Sequence, residues 1–454
     1  MELWSIAIIG GGPGGLMTAY QLQKRAGRPC DITLYEAGSR LGGKILTPRF
    51  TKAPVAYEAG AAELYDYSKL GEDPLRELIA ELGLTTHPMD GDTVVMDGAK
   101  LTTDDDLLAH LGAAGWDALE AFDRRAKDWM SPNEYYAADW KEGAPDAMAL
   151  ATFRDVLADI PDAGARRYIE VLIHSDLATE PGRTNAYYGL QNYLMNDPDY
   201  MGLYTIDGGI ERLPEELAKR LEATVLLEQP VVRVERADGD LLRVISRCGG
   251  ELESDEFDFV VAALPHNWLL GVKWGGELLR SAMERHHAHY DYPAHYLRVS
   301  VLFASAFWRG QIDGSFFMLD AFGGCCVYDE SSRNGDDSHG VLGWLLGGEA
   351  AVTLSNLADA DLIRLVLESL PEFLKFGAAE FVEGRVHRWC GSVNGMPGGV
   401  PALDPEARHQ PEPTEHPNLF VVGDYLFDST LNGVLDSADF VAEWIVEEME
   451  DDAP

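Results

Sequence analysis

The run IAIIGGGPGGLMTAYQL, residues 6–22, constrains the fold of this chain more than any other stretch. An apolar segment, Ile6–Ile9, has the length of a buried strand. It breaks into five glycines and a proline, then resumes from Leu16 to Leu22 with helical spacing and small residues on one side. DITLYE, residues 31–36, reads as the next strand, so a β-turn-α-β unit closes within about thirty residues. Within the turn, Gly10, Gly12 and Gly15 form G-x-G-x-x-G, with Pro13 and Gly14 between them. The first glycine permits the tight turn, the second lets a pyrophosphate approach the backbone, and the third lets the helix pack on the strand. Amides and dipole at the helix end favour an anion there. Glu36 ends the second strand, where a carboxylate accepts both ribose hydroxyls and disfavours a 2′-phosphate. These residues point to a bound dinucleotide and leave its identity open.

Charge explains why such local devices are needed. The 454 residues carry 76 Asp and Glu against 36 Lys and Arg, a formal net charge of -40. That field repels phosphate backbones and anionic lipids, so neither nucleic acid nor a charged bilayer is expected as a main partner. An anionic cofactor must be held by dipoles and a few placed cations. Five cysteines in so long a chain do not form a secreted disulfide framework, which fits a reducing cytoplasm. The chain starts a strand almost at once, and no apolar run reaches membrane-spanning length, so a soluble protein without membrane insertion is expected.

Further along, residues 104–200 read as largely helical, opening on an acidic helix start. VLLEQPVVRVERA, LLRVIS and FDFVVAALP read as successive strands with a turn at Asp238-Gly239, and HYLRVSVLF and HGVLGWLL as later strands. The last segment reads as strand, loop and long amphipathic helix. The aromatic run NAYYGLQNYL, with Tyr187, Tyr188 and Tyr193, fits either core packing or a pocket wall.

Beyond Glu36 the run EAGSRLGGK resembles the E-A-x-x-R-x-G-G-[RK] signature of the flavin-containing amine oxidoreductase superfamily, which includes monoamine and polyamine oxidases, L-amino-acid oxidases, protoporphyrinogen oxidase and carotenoid desaturases. The resemblance implies that Ala37 follows the ribose-binding acid, that Arg40 pairs with the pyrophosphate, and that Gly42 and Gly43 keep the loop thin beside the flavin. Lys44 stands where arginine is commoner, keeping the charge without the planar fork. YEAGAAELY resembles the family's loop near the isoalloxazine and brings Gly60, Ala61 and Ala62 to the ring. DGGIERLPEELAKRL followed by PVVRVE places Val231 or Val232 at the adenine. NLFVVGDY followed by TLNGVLDSA resembles the carboxy-terminal flavin motif: Gly423 and Asp424 meet ribitol or pyrophosphate, and the helix opening at Asn432, Gly433 and Val434 points its amino end at flavin N1 and O2. The implied cofactor is FAD.

Two departures bear on the chemistry. Where many of these oxidases hold a lysine near flavin N5, this chain aligns Arg298, upstream of Phe307 and Trp308. Three readings stay open for it: a carboxylate anchor, a fixed charge tuning the reduced flavin, or a surface arginine. The facing aromatic cage of the amine oxidases aligns with Gly399 or a neighbour and with Thr430, neither aromatic, and Cys390 lies several residues from the position of covalent flavin attachment, so the flavin is expected to be noncovalent. HHAHYDYPAHY, residues 286–296, has no carboxylate or cysteine at recognised ligand spacing and is expected to be helix surface and loop, with no metal. Cys325-Cys326 is expected to fill a strand.

The expected fold is α/β: a Rossmann-like FAD-binding domain of glutathione-reductase type over 1–85, 200–270 and 385–450, interleaved with an α+β substrate domain over 86–199 and 271–384. The expected reaction removes a hydride from a C–H next to nitrogen of a small amine or amino acid to flavin, with dioxygen or another acceptor closing the cycle; Arg298, Asn394 and Thr430 are the substrate-facing candidates. A carbon–carbon desaturase or protoporphyrinogen-oxidase-like dehydrogenase is the enzymatic alternative, a flavoprotein with a non-catalytic partner role the other, and a homodimer is left open.

Overall fold

Trp4–Ile9 forms the central strand of a five-stranded parallel sheet whose order is Leu419–Val421, Phe259–Ala262, Trp4–Ile9, Cys30–Tyr35, Thr224–Leu226. Both faces of the strand are buried, which is why it reads as an unbroken apolar run. Ile6 and Ile8 face one core with Leu16, Leu22, Ala438 and Ile445, from the helices Pro13–Arg25 and Leu431–Asp451. Ala7 and Ile9 face the other core with Val260, Leu419, Trp274 and Tyr425. This computed structural model describes residues 3–27, 29–136, 147–331 and 338–451.

On the second face lies a four-stranded sheet built from the hairpins Val231–Arg236, Leu242–Cys248 and Glu251–Phe257, edged by Lys273–Trp274. Its first turn sits at Asp238-Gly239, where Gly239 has φ +72 and the Ala237 amide donates to Leu241 O at 2.9 Å. A seven-stranded sheet forms the other body, in the order Phe381–Asn394, Pro293–Phe303, Gly340–Gly347, Cys325–Asp329, Phe316–Leu319, Val94–Met96, Ala99–Leu101. The segment cuts expected at 270 and 385 cross this pattern. Lys273 and Trp274 pair with Arg233 and Val234, and residue 385 falls inside a strand paired along Pro293–Phe303.

Helices Asp104–Trp129, Ala163–Leu177 and Ala186–Leu194 cover one side of the substrate body. Thr103 and Asp106 cap the first reciprocally, as its acidic start implies. Of the aromatic run, Tyr193 is core: its ring meets Phe122 at 4.9 Å and its hydroxyl donates to Asp123 at 3.2 Å. Cys325 and Cys326 are buried in a strand, and none of the five cysteines forms a disulfide. Among the described residues no helix is long and apolar enough to cross a membrane.

Candidate active site

The glycine turn divides its labour among its residues. Gly10 has φ +114, and a Cβ there would lie 2.4 Å from Ala263 O; a Cβ on Gly15 would lie 1.9 Å from Gly10 O. Both close the turn on backbone. At Gly12 a Cβ would meet nothing nearer than Gly43 Cα at 3.8 Å, so the space beside it is open. Gly12 is also the N-cap of the helix Pro13–Arg25, with no side-chain cap and no acid in the first turn, so the amides of that turn, Gly14 and Gly15 among them, are left for an incoming anion. Glu36 stands against this turn: its carboxylate accepts from Gly11 N at 2.8 Å and Gly38 N at 2.6 Å, which fixes its direction and leaves lone pairs for a diol. Ala37, next along, is exposed.

A second glycine loop lies on the first. Gly42 N donates to Gly11 O at 2.8 Å, and Gly42 and Gly43 have φ +101 and +53. Arg40 braces this loop from inside, donating to Leu41 O, Ile45 O and Gly43 O at 2.9, 3.1 and 2.6 Å. Its guanidinium therefore acts on the loop backbone, where the expectation was a phosphate.

Past these loops opens a cavity walled by Pro13, Lys44, Gly60–Tyr65, Asp424 and Thr430–Leu431 on one side and by Tyr296, Arg298, Tyr328 and Trp389 on the other. Lys44 pairs with Asp424 at 2.8 Å and donates to Ser392 O, joining the amino- and carboxy-terminal parts of the site. Gly60 is pressed on the Lys44 carbonyl so closely that a Cβ would lie 1.8 Å from it. Trp389 Nε1 donates to Ala59 O at 2.5 Å and pins the same loop from the substrate sheet. At the start of the last helix Asp428 caps: its Oδ1 accepts from Thr430 N and Gly433 N, both at 3.1 Å, and from the Thr430 hydroxyl. Thr430 thus lines the cavity with its hydroxyl turned to the cap. Asn432 reaches Asp73 at 3.4 Å, and Val434 joins the cavity wall.

Arg298 is 1 % exposed, which removes the surface reading. Its Nε donates to Glu58 O at 2.6 Å, its Nη2 to the Glu330 carboxylate, and its guanidinium lies 4.8 Å from the Tyr328 ring centroid. Burial works against its charge, but Glu330 outweighs burial and holds it protonated, above its usual value. Glu330 also accepts from Glu58 N at 2.8 Å, so the pair is clamped to the residue that leads into Gly60–Tyr65.

Other expected residues lie elsewhere. Asn394 is 3 % exposed, donating to Tyr290 O at 2.7 Å and accepting from Met396 N at 2.8 Å; it holds a turn and does not reach the cavity. A Cβ on Gly399 would lie 2.4 Å from the His289 ring, so that position is packing. Val231 and Val232 lie on the strand after Leu226, whose carbonyl accepts from Glu36 N. Gly423 N donates to Ser437 Oγ at 3.1 Å. Cys390 is exposed, its thiol donating to Ser355. Of the histidine run, His286 turns inward to Tyr425 at 3.1 Å, correcting the helix-surface expectation there. His266, His287 and Asp291 bring ligand atoms within 4.8 Å of one another; the two rings stack at 4.2 Å and 21°, and His266 Nε2 lies 2.8 Å from His287 O. Sequence reasoning missed Glu63, Tyr65, Tyr296 and Trp389 on the wall; Glu63 and Tyr65 lay inside the loop segment already singled out.

Comparison with known proteins agrees with this geometry. The family profile described as flavin containing amine oxidoreductase matches residues 13–446. Wild-type putrescine oxidase bound to putrescine superposes with a TM-score of 0.78 at 19 % identity, covering 98 % of this chain and 99 % of that one. Cyclohexylamine oxidase from Brevibacterium oxydans superposes with a TM-score of 0.77 at 21 % identity, covering 99 % and 100 %. In sequence, prenylcysteine oxidase 1 of Rattus norvegicus is 22 % identical over 293 residues, 58 % of this chain and 56 % of that protein, so the chain spans little more than half the length of the curated relatives it matches. The fold is the α/β class expected, a Rossmann-like nucleotide-binding body with a substrate body.

Proposed function

The chain belongs to the flavin-containing amine oxidoreductase family and is a flavin-dependent oxidoreductase, and on that premise we propose that it holds FAD noncovalently and oxidises a small amine at a C–H next to nitrogen. The observation that carries this reading is the single cavity running from Pro13 and Lys44 to Tyr296 and Tyr328, with an open cradle at Gly12 behind it. FAD, when bound, supplies a two-electron hydride acceptor. The chain supplies the rest. The amides of Gly14 and Gly15 hold the pyrophosphate, Glu36 the ribose hydroxyls, and Val231 or Val232 the adenine. Lys44, Asp424 and the helix start at Asn432 and Gly433 position the ring end. Trp389, Tyr296 and Tyr328 exclude water from the reacting carbon.

Arg298 speaks against an α-amino acid. A substrate carboxylate would meet a guanidinium already neutralised by Glu330 and hydrogen-bonded to Glu58. We read Arg298 as a fixed, compensated charge that shapes the wall. No side-chain base is required if the amine binds neutral. Dioxygen or another acceptor closes the cycle, and five cysteines outside any disulfide fit a cytoplasmic setting. Cys390, exposed and turned to Ser355, supports noncovalent binding.

A carbon–carbon desaturase is the second reading, favoured by the absence of an aromatic side chain at Thr430 and Gly399. The test is the visible spectrum of the purified protein followed by anaerobic addition of amines, amino acids and polyene or porphyrinogen substrates. Bleaching by amines alone is the expected result. Bleaching only by the carbon-based substrates replaces the reading, and a protein that takes up no flavin overturns it.

A further inference from the structure

Away from the cavity at Lys44 and Gly60, the loop after the helix Ala163–Leu177 meets the start of the strand Pro293–Phe303, where His295 N donates to Ala178 O at 2.8 Å. Two cavities open at this junction and share Thr179, Arg183 and His295, which makes them the lobes of one groove. The larger lobe, 440 Å³, is mostly apolar, with Leu150, Pro293, Met396 and Val400 on its walls. The smaller, 310 Å³, is bordered by Glu180 and Glu349. Neither lobe shares a lining residue with the cavity at Lys44 and Gly60. Tyr296, the next residue after His295, lines that other cavity, as alternation along a strand requires.

The waist between the lobes presents donors without protein partners. Gly391 N donates to His295 Nδ1 at 2.9 Å, so that nitrogen carries no proton and the neutral ring holds its hydrogen on Nε2. Burial, and after it Arg183, lower the pKa of His295 and keep the ring in this form. No acceptor meets the Nε2 hydrogen among the described residues. Thr179 is 4 % exposed, and its hydroxyl is likewise without a partner among the described residues. Arg183 adds further donors, since its 3.0 Å pair with Glu349 is largely exposed on both sides and such pairs hold weakly. Asp291, Glu180 and Glu349 on the walls oppose an anion, while Arg183 and the donors beside it oppose a cation. We propose that this groove is a second ligand site, whose ligand is a neutral molecule with an apolar body in the larger lobe and a carbonyl oxygen at the waist, where His295 and Thr179 supply the donors. The site is separate from the amine oxidation proposed above and does not depend on it.

Benzamide, benzoate and benzyltrimethylammonium share one ring and carry a neutral, an anionic and a cationic head, and they are the probes. Binding to the flavin-loaded protein is followed by ligand-observed NMR titration, with the flavin absorbance recorded at each point. Benzamide is expected to bind about fivefold tighter or more than either ion and to leave the flavin bands unmoved. Thr179→Val keeps the shape and removes the hydroxyl; His295→Asn keeps an acceptor for Gly391 N and removes the Nε2 donor. Each is expected to weaken benzamide binding about three- to tenfold, the worth of one hydrogen bond, and Thr179→Ser to bind it as the wild type does. Tighter binding of either ion overturns the proposal, as does benzamide that shifts the flavin bands or binds Thr179→Val as tightly as the wild type. If His295→Asn fails to fold, the two Thr179 variants decide. The titration requires no turnover, so a flavin that no amine bleaches removes the amine reading and leaves this test intact.

Discussion

Arg298 and Glu330 form an ion pair in which the side chains are 1 % and 0 % exposed, and both partners are hydrogen-bonded to the backbone of Glu58. Removing one partner of a buried pair leaves the other charge without compensation, at a cost of about 3–5 kcal/mol. Arg298→Leu should therefore lower the unfolding free energy by about that amount, and Arg298→Leu with Glu330→Leu by less, since the orphaned charge is gone. Part of the loss remains in the double variant because the Glu58 amide and carbonyl lose their partners. Urea unfolding of the three proteins checks this. A double variant as unstable as the single one would mean that the charge is not what makes the pair necessary.

The glycine turn allows stability and cofactor retention to be separated. A methyl group at Gly12 enters open space, whereas one at Gly15 is driven into the Gly10 carbonyl. Gly12→Ala should change the stability of the flavin-free protein by less than about 0.5 kcal/mol yet abolish flavin retention, because the methyl occupies the phosphate approach. Gly15→Ala should lose about 1–3 kcal/mol of stability with or without flavin, as overpacking does. Chemical unfolding and flavin content after gel filtration read both. Flavin retained at wild-type level in Gly12→Ala would remove the cradle from this position.

These contrasts show which parts of the site were legible in the sequence. The turn, the two strands around it and Glu36 depend on neighbours within about thirty residues, where spacing and glycine placement carry the geometry. Arg40 was read as a phosphate ligand because its charge was visible and the loop carbonyls around it were not. Asn394 failed for a related reason: a polar residue in a Gly-rich stretch looks available until Tyr290 and Met396 are folded against it. Glu63 and Tyr296 are 233 positions apart, and only the fold brings the loop and the strand Pro293–Phe303 to the wall of one cavity. The cut at residue 385 missed because a strand of 14 residues, Phe381–Asn394, carries few fully buried side chains and so no clear alternation.

Stability should also depend on pH through His174 and Glu180. His174 Nε2 lies 3.1 Å from Glu180, and Nδ1 lies 3.1 Å from Gly324 O, so the pair fastens the helix Ala163–Leu177 to the seven-stranded sheet. Burial opposes the imidazolium, but the Glu180 hydrogen bond and charge prevail and raise the histidine above its ordinary value. Glu180 is lowered to about 2, chiefly by the same hydrogen bond. The raised histidine contributes stability fully below its unfolded value near 6.5 and loses it as pH rises through the folded value. The lowered glutamate contributes above about 4.3 and loses it as pH falls toward 2. The wild type should therefore exceed His174→Gln in stability most between about pH 4.5 and 6.5, and the gap should narrow by pH 9. Thermal melts of both proteins across that range check it; a gap that widens with pH would reverse the assignment.

The last prediction concerns Asp428, whose carboxylate accepts from the Thr430 and Gly433 amides at the opening of the helix Leu431–Asp451. An anion there steadies the helix but offsets the positive potential of its amino end, which in the proposed arrangement faces the ring end of the flavin. Asparagine caps a helix about as well as aspartate, so Asp428→Asn should keep the helix and remove only the charge. Reduction adds negative charge to the flavin, and a less compensated helix end should favour it by about 0.3–1 kcal/mol. For a two-electron couple that is a rise in reduction potential of roughly 6–20 mV. Potentiometric titration against a reference dye measures it directly. A potential that is unchanged or lower, with the helix content intact, would mean that this helix does not end beside the flavin, and the positions of Asn432, Gly433 and Val434 around the cofactor would have to be redrawn.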